Sequence, residues 1–117
     1  MAADDVVESI CRMPLDFKSE GNVTMIDLMR SSGYLQDPDA VNEARLEEFF
    51  RKRPELISAW EAESDQRTRH CWSLSRRGEK DWVVDYPNRR KYSVFDDGFK
   101  ACAFYVKRRL EELREMN

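Results

Sequence analysis

The chain changes its hydrophobic period near residue 71, and this change restricts the folds that it can adopt. In HCWSLS (70–75), DWVVDY (81–86) and KYSVF (91–95), apolar side chains alternate with polar ones. A period of two is typical of β-strands with one apolar face. The breaks RRGEK and PNRR are short enough for antiparallel hairpins. The sequence therefore predicts a three-stranded antiparallel meander over residues 67–96.

The alternation also assigns one face of each strand to the core. The predicted inward residues are Trp72, Leu74, Trp82, Val84, Tyr86, Tyr92 and Val94. A three-stranded sheet needs another element packed on that face. The end of the chain supplies it, because apolar residues recur there at i, i+3, i+4, i+7, i+11 and i+14: Phe99, Cys102, Ala103, Val106, Leu110 and Leu113. This stripe predicts a closing helix over residues 97–116, capped by Asp96 or Asp97.

The N-terminal half instead repeats its apolar side chains at the period of amphipathic helices. Residues 6–13 predict a short helix that Pro14 ends. LDFKSEGN (residues 15–22) predicts a connector. Asn22 or Thr24 would then cap a second helix.

Two further helices are predicted before the sheet. In QDPDAVNEARLEEFFRKRP, Asp37 serves as the N-cap and Pro38 takes the first helical position. PELISAWEAESDQR predicts a fourth helix after the break at Pro54. At 117 residues the chain is expected to form one α+β domain over residues 1–117. Its expected parts are a helical part (1–66), a three-stranded antiparallel sheet (67–96) and a long C-terminal helix packed on the sheet (97–116).

The three cysteines, Cys11, Cys71 and Cys102, are odd in number and form no CxxC pair. This pattern argues against a disulfide framework or a zinc site and predicts buried thiols in a reducing compartment. The N-terminus has no basic segment followed by an apolar core, and no run of about 20 apolar residues occurs. We therefore predict a cytoplasmic protein that needs no cofactor or metal and does not enter a membrane.

Candidate catalytic groups are few. His70 and Cys71 are adjacent in a predicted strand, so their side chains point to opposite faces and cannot form a nucleophile pair. Asp81 and Asp85 share a face, but four strand residues separate them by roughly 13 Å, too far for glycosidase-like cooperation. The sequence contains no phosphate-binding glycine loop, HExxH or GxSxG motif. We therefore predict no enzymatic activity.

Charge is distributed unevenly along the chain. Residues 1–66 carry 15 acids and 7 bases (net −8), and residues 67–117 carry 8 acids and 13 bases (net +5), which gives −3 in total. Glu43 and Glu47 share a face of the third helix with no base between them, and such like charges favour a basic partner protein. The candidate partner-binding residues are Asp39, Glu43, Glu47, Glu48, Glu61 and Asp65. In the alternative interpretation, the two halves attract each other within one fold.

Basic clusters suggest nucleic-acid binding as the alternative function. The residues that would contact phosphates are Arg76, Arg77, Arg89 and Arg90, in the two loops of the meander. These loops lie at opposite ends of the sheet, and the pI of about 5.3 is low for this class of protein. A third basic run, Lys107 to Arg109, precedes Glu111 and Glu112, so pairs such as Arg108–Glu111 and Arg108–Glu112 predict a solvated, ion-paired helix face.

Four segments within residues 54–113 form a further pattern. They are the strand led by Trp72, the DWVVDYP strand, the VFDDGF junction and the ACAFYVKRRLEEL helix. In these packing and capping positions the chain resembles small bacterial proteins of the toxin-immunity kind and uncharacterised α+β relatives. Immunity-type proteins block a toxin through a charged surface. The resemblance therefore implies binding rather than catalysis, and it supplies no site residues.

Overall fold

A computed structural model describes residues 3–65, 71–86 and 89–116. These residues form six α-helices and one antiparallel sheet with the strand order β1-β2-β3, which confirms the α+β class. The helices are α1 (Ala3–Cys11), α2 (Met13–Glu20), α3 (Met25–Ser31), α4 (Glu43–Lys52), α5 (Glu55–Asp65) and α6 (Gly98–Met116). The strands are β1 (Ser73–Arg77), β2 (Asp81–Tyr86) and β3 (Lys91–Phe95). None of the described helices is long and apolar enough to cross a membrane.

Helix α2 replaces the predicted connector. Pro14 lies in the first turn of α2, where its missing N–H removes no helical hydrogen bond, so it begins this helix and does not merely end α1. Within α2, Met13 and Pro14 are buried, whereas Leu15 and Phe17 are exposed. The helix was missed because it has no continuous apolar stripe.

Of the N-caps predicted for the next two helices, one is correct and one is wrong. Of the two predicted candidates, Asn22 and Thr24, it is Thr24 that caps α3. Its Oγ1 accepts the N–H of Asp27 at 3.1 Å, and its own N–H donates to the Asp27 carboxylate at 3.0 Å. Asp37 was predicted to cap the following helix, but its side chain makes no cap hydrogen bond. Pro38–Ala40 forms one 3₁₀ turn, and α4 starts behind Asn42, whose Oδ1 accepts the N–H of Arg45 at 2.9 Å.

The predicted inward face of the sheet is correct for β1 and β2 and wrong for β3. Leu74 and Val84 are fully buried and lie opposite each other. In β3, however, Tyr92 is 69% exposed and Val94 is 45% exposed. The register of β2 and β3 places Ser93 opposite Val84, so Ser93 shares the inward face. A shift of one residue exchanges the two faces of a strand, and the alternation of β3 alone did not fix its register.

Helix α6 packs on the sheet and is the closing helix that the sequence predicts. Asp97 is its N-cap, because its Oδ1 accepts the N–H of Phe99 at 2.8 Å. The next residue is Gly98, where a Cβ atom would lie 2.9 Å from the ring of Trp82. The close approach of α6 to β2 therefore requires a glycine at this position.

The core continues from α6 into the N-terminal helices. Trp60 is fully buried, and its ring meets that of Tyr105 edge to face, with centroids 6.1 Å apart. The Nε1–H group of Trp60 donates to the carbonyl of Cys11 at 2.9 Å. One buried tryptophan thus connects α5, α6 and the end of α1.

Candidate functional site: the cleft between α1 and α4

Ion pairs join the acidic and basic halves of the chain. Within residues 3–65, 71–86 and 89–116, the pairs that connect the halves include Arg51–Asp97 at 2.7 Å, Arg76–Glu61 at 3.2 Å, Arg108–Glu43 at 3.7 Å and Arg109–Glu63 at 2.9 Å. In three of them an acid of residues 1–66 meets a base of residues 67–117. Part of the uneven charge is therefore neutralised inside the fold, in line with the alternative interpretation of the charge pattern.

The acids of α4 do not lack basic partners, contrary to the sequence expectation. Glu47 pairs with Arg51 at 2.9 Å, one turn further along α4. Glu43 pairs with Arg108, which α6 brings to it from the other half of the chain. Glu48 lies 3.6 Å from Lys52, but both side chains are 70% exposed, so solvent screens this pair. Among these three acids, Glu48 is the most open to a partner.

The remaining predicted partner-binding residues lie on other elements. Asp39 is exposed in the 3₁₀ turn Pro38–Ala40. Glu61 is partly buried on α5 and pairs with Arg76 of β1. Asp65 is exposed at the last residue of α5. The six predicted residues thus lie on several different elements. One of them, Glu48, lines a cleft between α1 and α4.

A cleft of about 270 Å³ lies between α1 and α4. Its apolar lining comes from Val7 and Phe49. Its charged lining consists of the acids Asp4, Asp5, Glu8 and Glu48 and the bases Arg45 and Lys52. Four carboxylates minus two cations leave an excess of two negative charges.

The carboxylates of α1 are the open part of this cleft. Asp4, Asp5 and Glu8 are exposed, and none of them forms an ion pair or side-chain hydrogen bond with another described residue. The two cations, in contrast, have intramolecular partners. Lys52 lies beside Glu48, and the guanidinium of Arg45 donates to the carbonyl of Ala40 at 3.3 Å. A cationic group from outside can therefore approach three acids for which no other described residue competes.

Asp4, Asp5 and Glu8 were not among the partner-binding residues predicted from the sequence. They flank the core residues Val6 and Val7 in DDVVE, and the helix dipole already explains Asp4 and Asp5 as acids in the first turn of a helix. Their position opposite Glu48 depends on the packing of α1 on α4, which no local pattern encodes. The available signal was the density of acids at the start of the chain.

The basic loops of the sheet are separated in space. Arg77 lies opposite Asp81 and Lys91 lies opposite Tyr86, at the two ends of β2. The length of a six-residue strand places these ends roughly 17 Å apart. Moreover, the guanidinium of Arg76 lies 4.4 Å from the ring centroid of Trp82 as well as beside Glu61. Nucleic-acid binding through Arg76, Arg77, Arg89 and Arg90 stays a prediction without a continuous basic surface.

The basic run of α6 is not the solvated face that the sequence predicts. Arg109 is 7% exposed, and its Nε donates to Glu63 at 2.9 Å. Lys107 donates to the carbonyl of Val41 at 2.8 Å, and partial burial lowers the pKa of its ammonium group. Arg108 does pair with Glu111, at 3.3 Å, as expected. Two of the three bases are structural because α6 packs against helices as well as the sheet.

Candidate catalytic or metal-binding groups are not gathered at this cleft. Cys11 and Cys102 are buried, and burial raises the pKa of both thiols, which opposes formation of the nucleophilic thiolate. Within residues 3–65, 71–86 and 89–116, no group of three or more His, Cys, Asp or Glu side chains is placed to hold a metal ion. The pair considered for nucleophilic catalysis cannot be compared with the structure, because Cys71 is described and buried but His70 lies outside the described residues.

Comparison with known proteins finds no match to a protein family model, to a curated protein or to a solved structure. The resemblance to toxin-immunity-type proteins over residues 54–113 therefore stays a prediction. The charge and shape of the cleft between α1 and α4 are the features of the molecule that bear on its function.

Proposed function

We propose that this protein is a non-enzymatic protein-binding domain that receives a basic segment of a partner protein in the cleft between α1 and α4. The observation that supports the proposal is a group of three acids, Asp4, Asp5 and Glu8, which have no side-chain partner among the described residues and face Glu48 across a concave surface. An immunity-type or regulatory role, in which the domain blocks a basic surface, is part of the proposal.

The cleft suits lysine and arginine side chains in particular. These side chains have an aliphatic stem that packs on apolar surface while the charged head stays near water and carboxylates. Phe49 and Val7 offer the apolar surface, and Glu8 and Glu48 offer the carboxylates. The excess negative charge also accelerates the approach of a basic partner, and this effect decreases with added salt.

The position of the cleft changes the relative importance of the predicted partner-binding residues. Glu48 becomes central because it lines the cleft and is highly exposed. Glu43 and Glu61 become peripheral because Arg108 and Arg76 already neutralise them. The cleft also lies outside residues 54–113, so the resemblance to immunity-type proteins does not locate it.

A charge-reversal experiment tests the proposal with a matched control. Glu8→Lys with Glu48→Lys changes the cleft, and Asp16→Lys with Glu20→Lys makes the same change of net charge on α2. Each protein is titrated against a labelled arginine-rich peptide and used for affinity capture from the native lysate. We expect the cleft variant to bind the peptide roughly tenfold more weakly or worse, because two attractive contacts become repulsive.

The control variant should retain most of the binding, and captured partners should be lost with the cleft variant alone. Equal loss in both variants would show that net charge acts without the cleft. No loss in either variant would remove the acidic surface from consideration. Circular dichroism of both variants confirms that they are folded.

A further inference from the structure

The two edges of the sheet are not equivalent. On the β1 side, the N–H of Leu74 points away from β2 and donates to Oγ of Ser64 on α5 at 2.6 Å. Helix α5 therefore covers this edge. On the other side, no described strand pairs with the outer edge of β3. An unpaired edge presents a row of backbone donors and acceptors to another chain.

The hydrogen bond of Leu74 also identifies which groups of β3 point outward. In an antiparallel sheet, the N–H and C=O of one residue point to the same side, and successive residues alternate. The backbone groups of Leu74 point away from β2, so the pair Leu74–Val84 is not hydrogen-bonded. The backbone groups of Val84 therefore point toward β3, where they exchange hydrogen bonds with Ser93. Ser93 therefore points toward β2. Its neighbours Tyr92 and Val94 direct their N–H and C=O groups away from the sheet.

We propose that β3 pairs with β3 of a second copy of this chain, antiparallel and across a twofold axis at Ser93. This register places Tyr92 of each copy opposite Val94 of the other. The backbone N–H and C=O groups of both residues point away from β2, so the two pairs make four backbone hydrogen bonds. The result is a continuous six-stranded sheet. Because α5 covers the β1 edge of each copy, the pairing closes as a dimer and does not extend into a fibre.

The side chains of the strand are complementary in this register. Tyr92 and Val94 are the exposed apolar residues of β3, and an aromatic side chain opposite a β-branched one stabilises an antiparallel pair. Just outside the strand, Arg90 and Asp96 are exposed, and neither forms an ion pair with a described residue. The register places Arg90 of one copy opposite Asp96 of the other, at both ends of the interface.

Other registers lose these matches. With the axis at Tyr92, the backbone of Val94 would have to pair with that of Arg90, whose φ of 55° lies outside the extended conformation. Arg90 and Asp96 would also no longer lie opposite each other. With the axis at Ser93, Arg90 lies beyond the paired strand and contributes only its side chain. A foreign strand would have to supply its own matching charges. Charge complementarity therefore favours a second copy as the occupant of this edge.

Site-specific cross-linking tests the register. Residues on a twofold axis in a non-hydrogen-bonded antiparallel pair have Cα atoms about 4.5 Å apart, within the range that a disulfide spans. Ser93→Cys should therefore cross-link two full-length chains under mild oxidation. Ser75→Cys is the matched control, since Ser75 is more exposed on β1 and should not cross-link efficiently. Equal cross-linking of both variants would indicate random collision and overturn the proposal.

Charge reversal tests the ends of the interface independently. Sedimentation equilibrium should show a dimer of the unmodified chain. Arg90→Asp or Asp96→Arg alone should raise the dimer dissociation constant roughly tenfold, because each change replaces two attractive pairs with repulsive ones. Combining the two changes should restore the dimer. A chain that is monomeric at every concentration, or a double variant no better than the single ones, would refute the proposal. Unfolding measurements on dilute samples separate loss of dimer from loss of fold.

Discussion

Replacing Arg109 with methionine tests whether the basic run of α6 belongs to the folded interior. The Nε of Arg109 donates to one oxygen of Glu63 at 2.9 Å, and the hydroxyl of Tyr105 donates to the other at 2.8 Å. The side chains of Arg109 and Glu63 are only 9% and 12% exposed. Methionine retains aliphatic volume but removes the cation, so Glu63 stays buried without this partner.

The expected cost follows from this burial. Removing one member of a buried ion pair typically destabilises a protein by about 3–5 kcal/mol. Because Glu63 keeps its hydrogen bond from Tyr105, we expect the lower end, about 3 kcal/mol. For a domain of this size, that loss corresponds to a decrease in Tm of about 10–15 °C. Urea unfolding followed by circular dichroism at pH 7 measures the free energy of unfolding directly.

Two further variants separate the ion pair from other effects of the substitution. Arg109→Met combined with Glu63→Gln removes both charges of this pair, so it should be less destabilised than the sum of the single changes. Arg108→Met is the neighbouring control. The Arg108 side chain is 27% exposed, and its pairs with Glu43 and Glu111 should contribute less than about 1 kcal/mol. If Arg108→Met and Arg109→Met had equal cost, or if the double variant were additive, the burial argument would be refuted.

Two capping residues yield further predictions. Partial burial alone would raise the pKa of Asp97, but hydrogen bonds from Arg51 and from the N–H of Phe99 outweigh it and hold this pKa below its usual value. The carboxylate therefore stabilises the fold above its unfolded pKa of about 3.9, and this contribution is lost as pH falls through the lower folded pKa. Urea unfolding should show that Asp97→Asn lowers the free energy of unfolding by about 0.5–1 kcal/mol at pH 7 and by less below about pH 4. The same difference between variant and unmodified chain at both pH values would contradict this. Asn42→Ala should cost about 1 kcal/mol in the same assay and Asp37→Ala only a few tenths, because Asn42 alone caps α4; equal costs would contradict the assignment of Asn42 as the cap.

The elements with the strongest periodicity were predictable from the sequence. Helix α6 repeats its apolar residues over nearly four turns, and its buried side, including Val106 and Leu110, follows that stripe. Strands β1 and β2 alternate with few competing apolar positions, so Leu74 and Val84 were placed in the core correctly. In both cases the local pattern and the tertiary packing require the same residues.

Prediction failed where two local patterns were equally acceptable. In β3, Val94 and Phe95 are adjacent apolar residues, so alternation could bury either one. The pairing of Phe95 with Trp82 decides between them. At the start of α4, Asp37 before Pro38 is a good capping signal, yet the chain makes a 3₁₀ turn there and starts the helix behind Asn42. Tertiary context overrides the local preference at both places.

The candidate site depends almost entirely on long-range packing. The sequence shows that Glu48 is acidic and solvent-directed, but not that Glu8 of α1 faces the same cleft. It also does not show that Arg108 neutralises Glu43 across α4 and α6. The candidate residues chosen from the sequence therefore overestimated the acidity of α4 and left out the acids of α1.

The two proposed interactions use separate surfaces of the molecule. Helix α1, which carries three acids of the cleft, packs mainly against α2, α4 and the 3₁₀ turn Pro38–Ala40. The proposed dimer instead forms at the outer edge of β3, so pairing leaves both clefts open. A dimer with two acidic clefts would bind a partner with repeated basic segments more tightly than either copy alone, because the second contact becomes intramolecular. Changes at Arg90 or Asp96 should then weaken binding to such a repeated partner while leaving the affinity for a single basic segment unchanged.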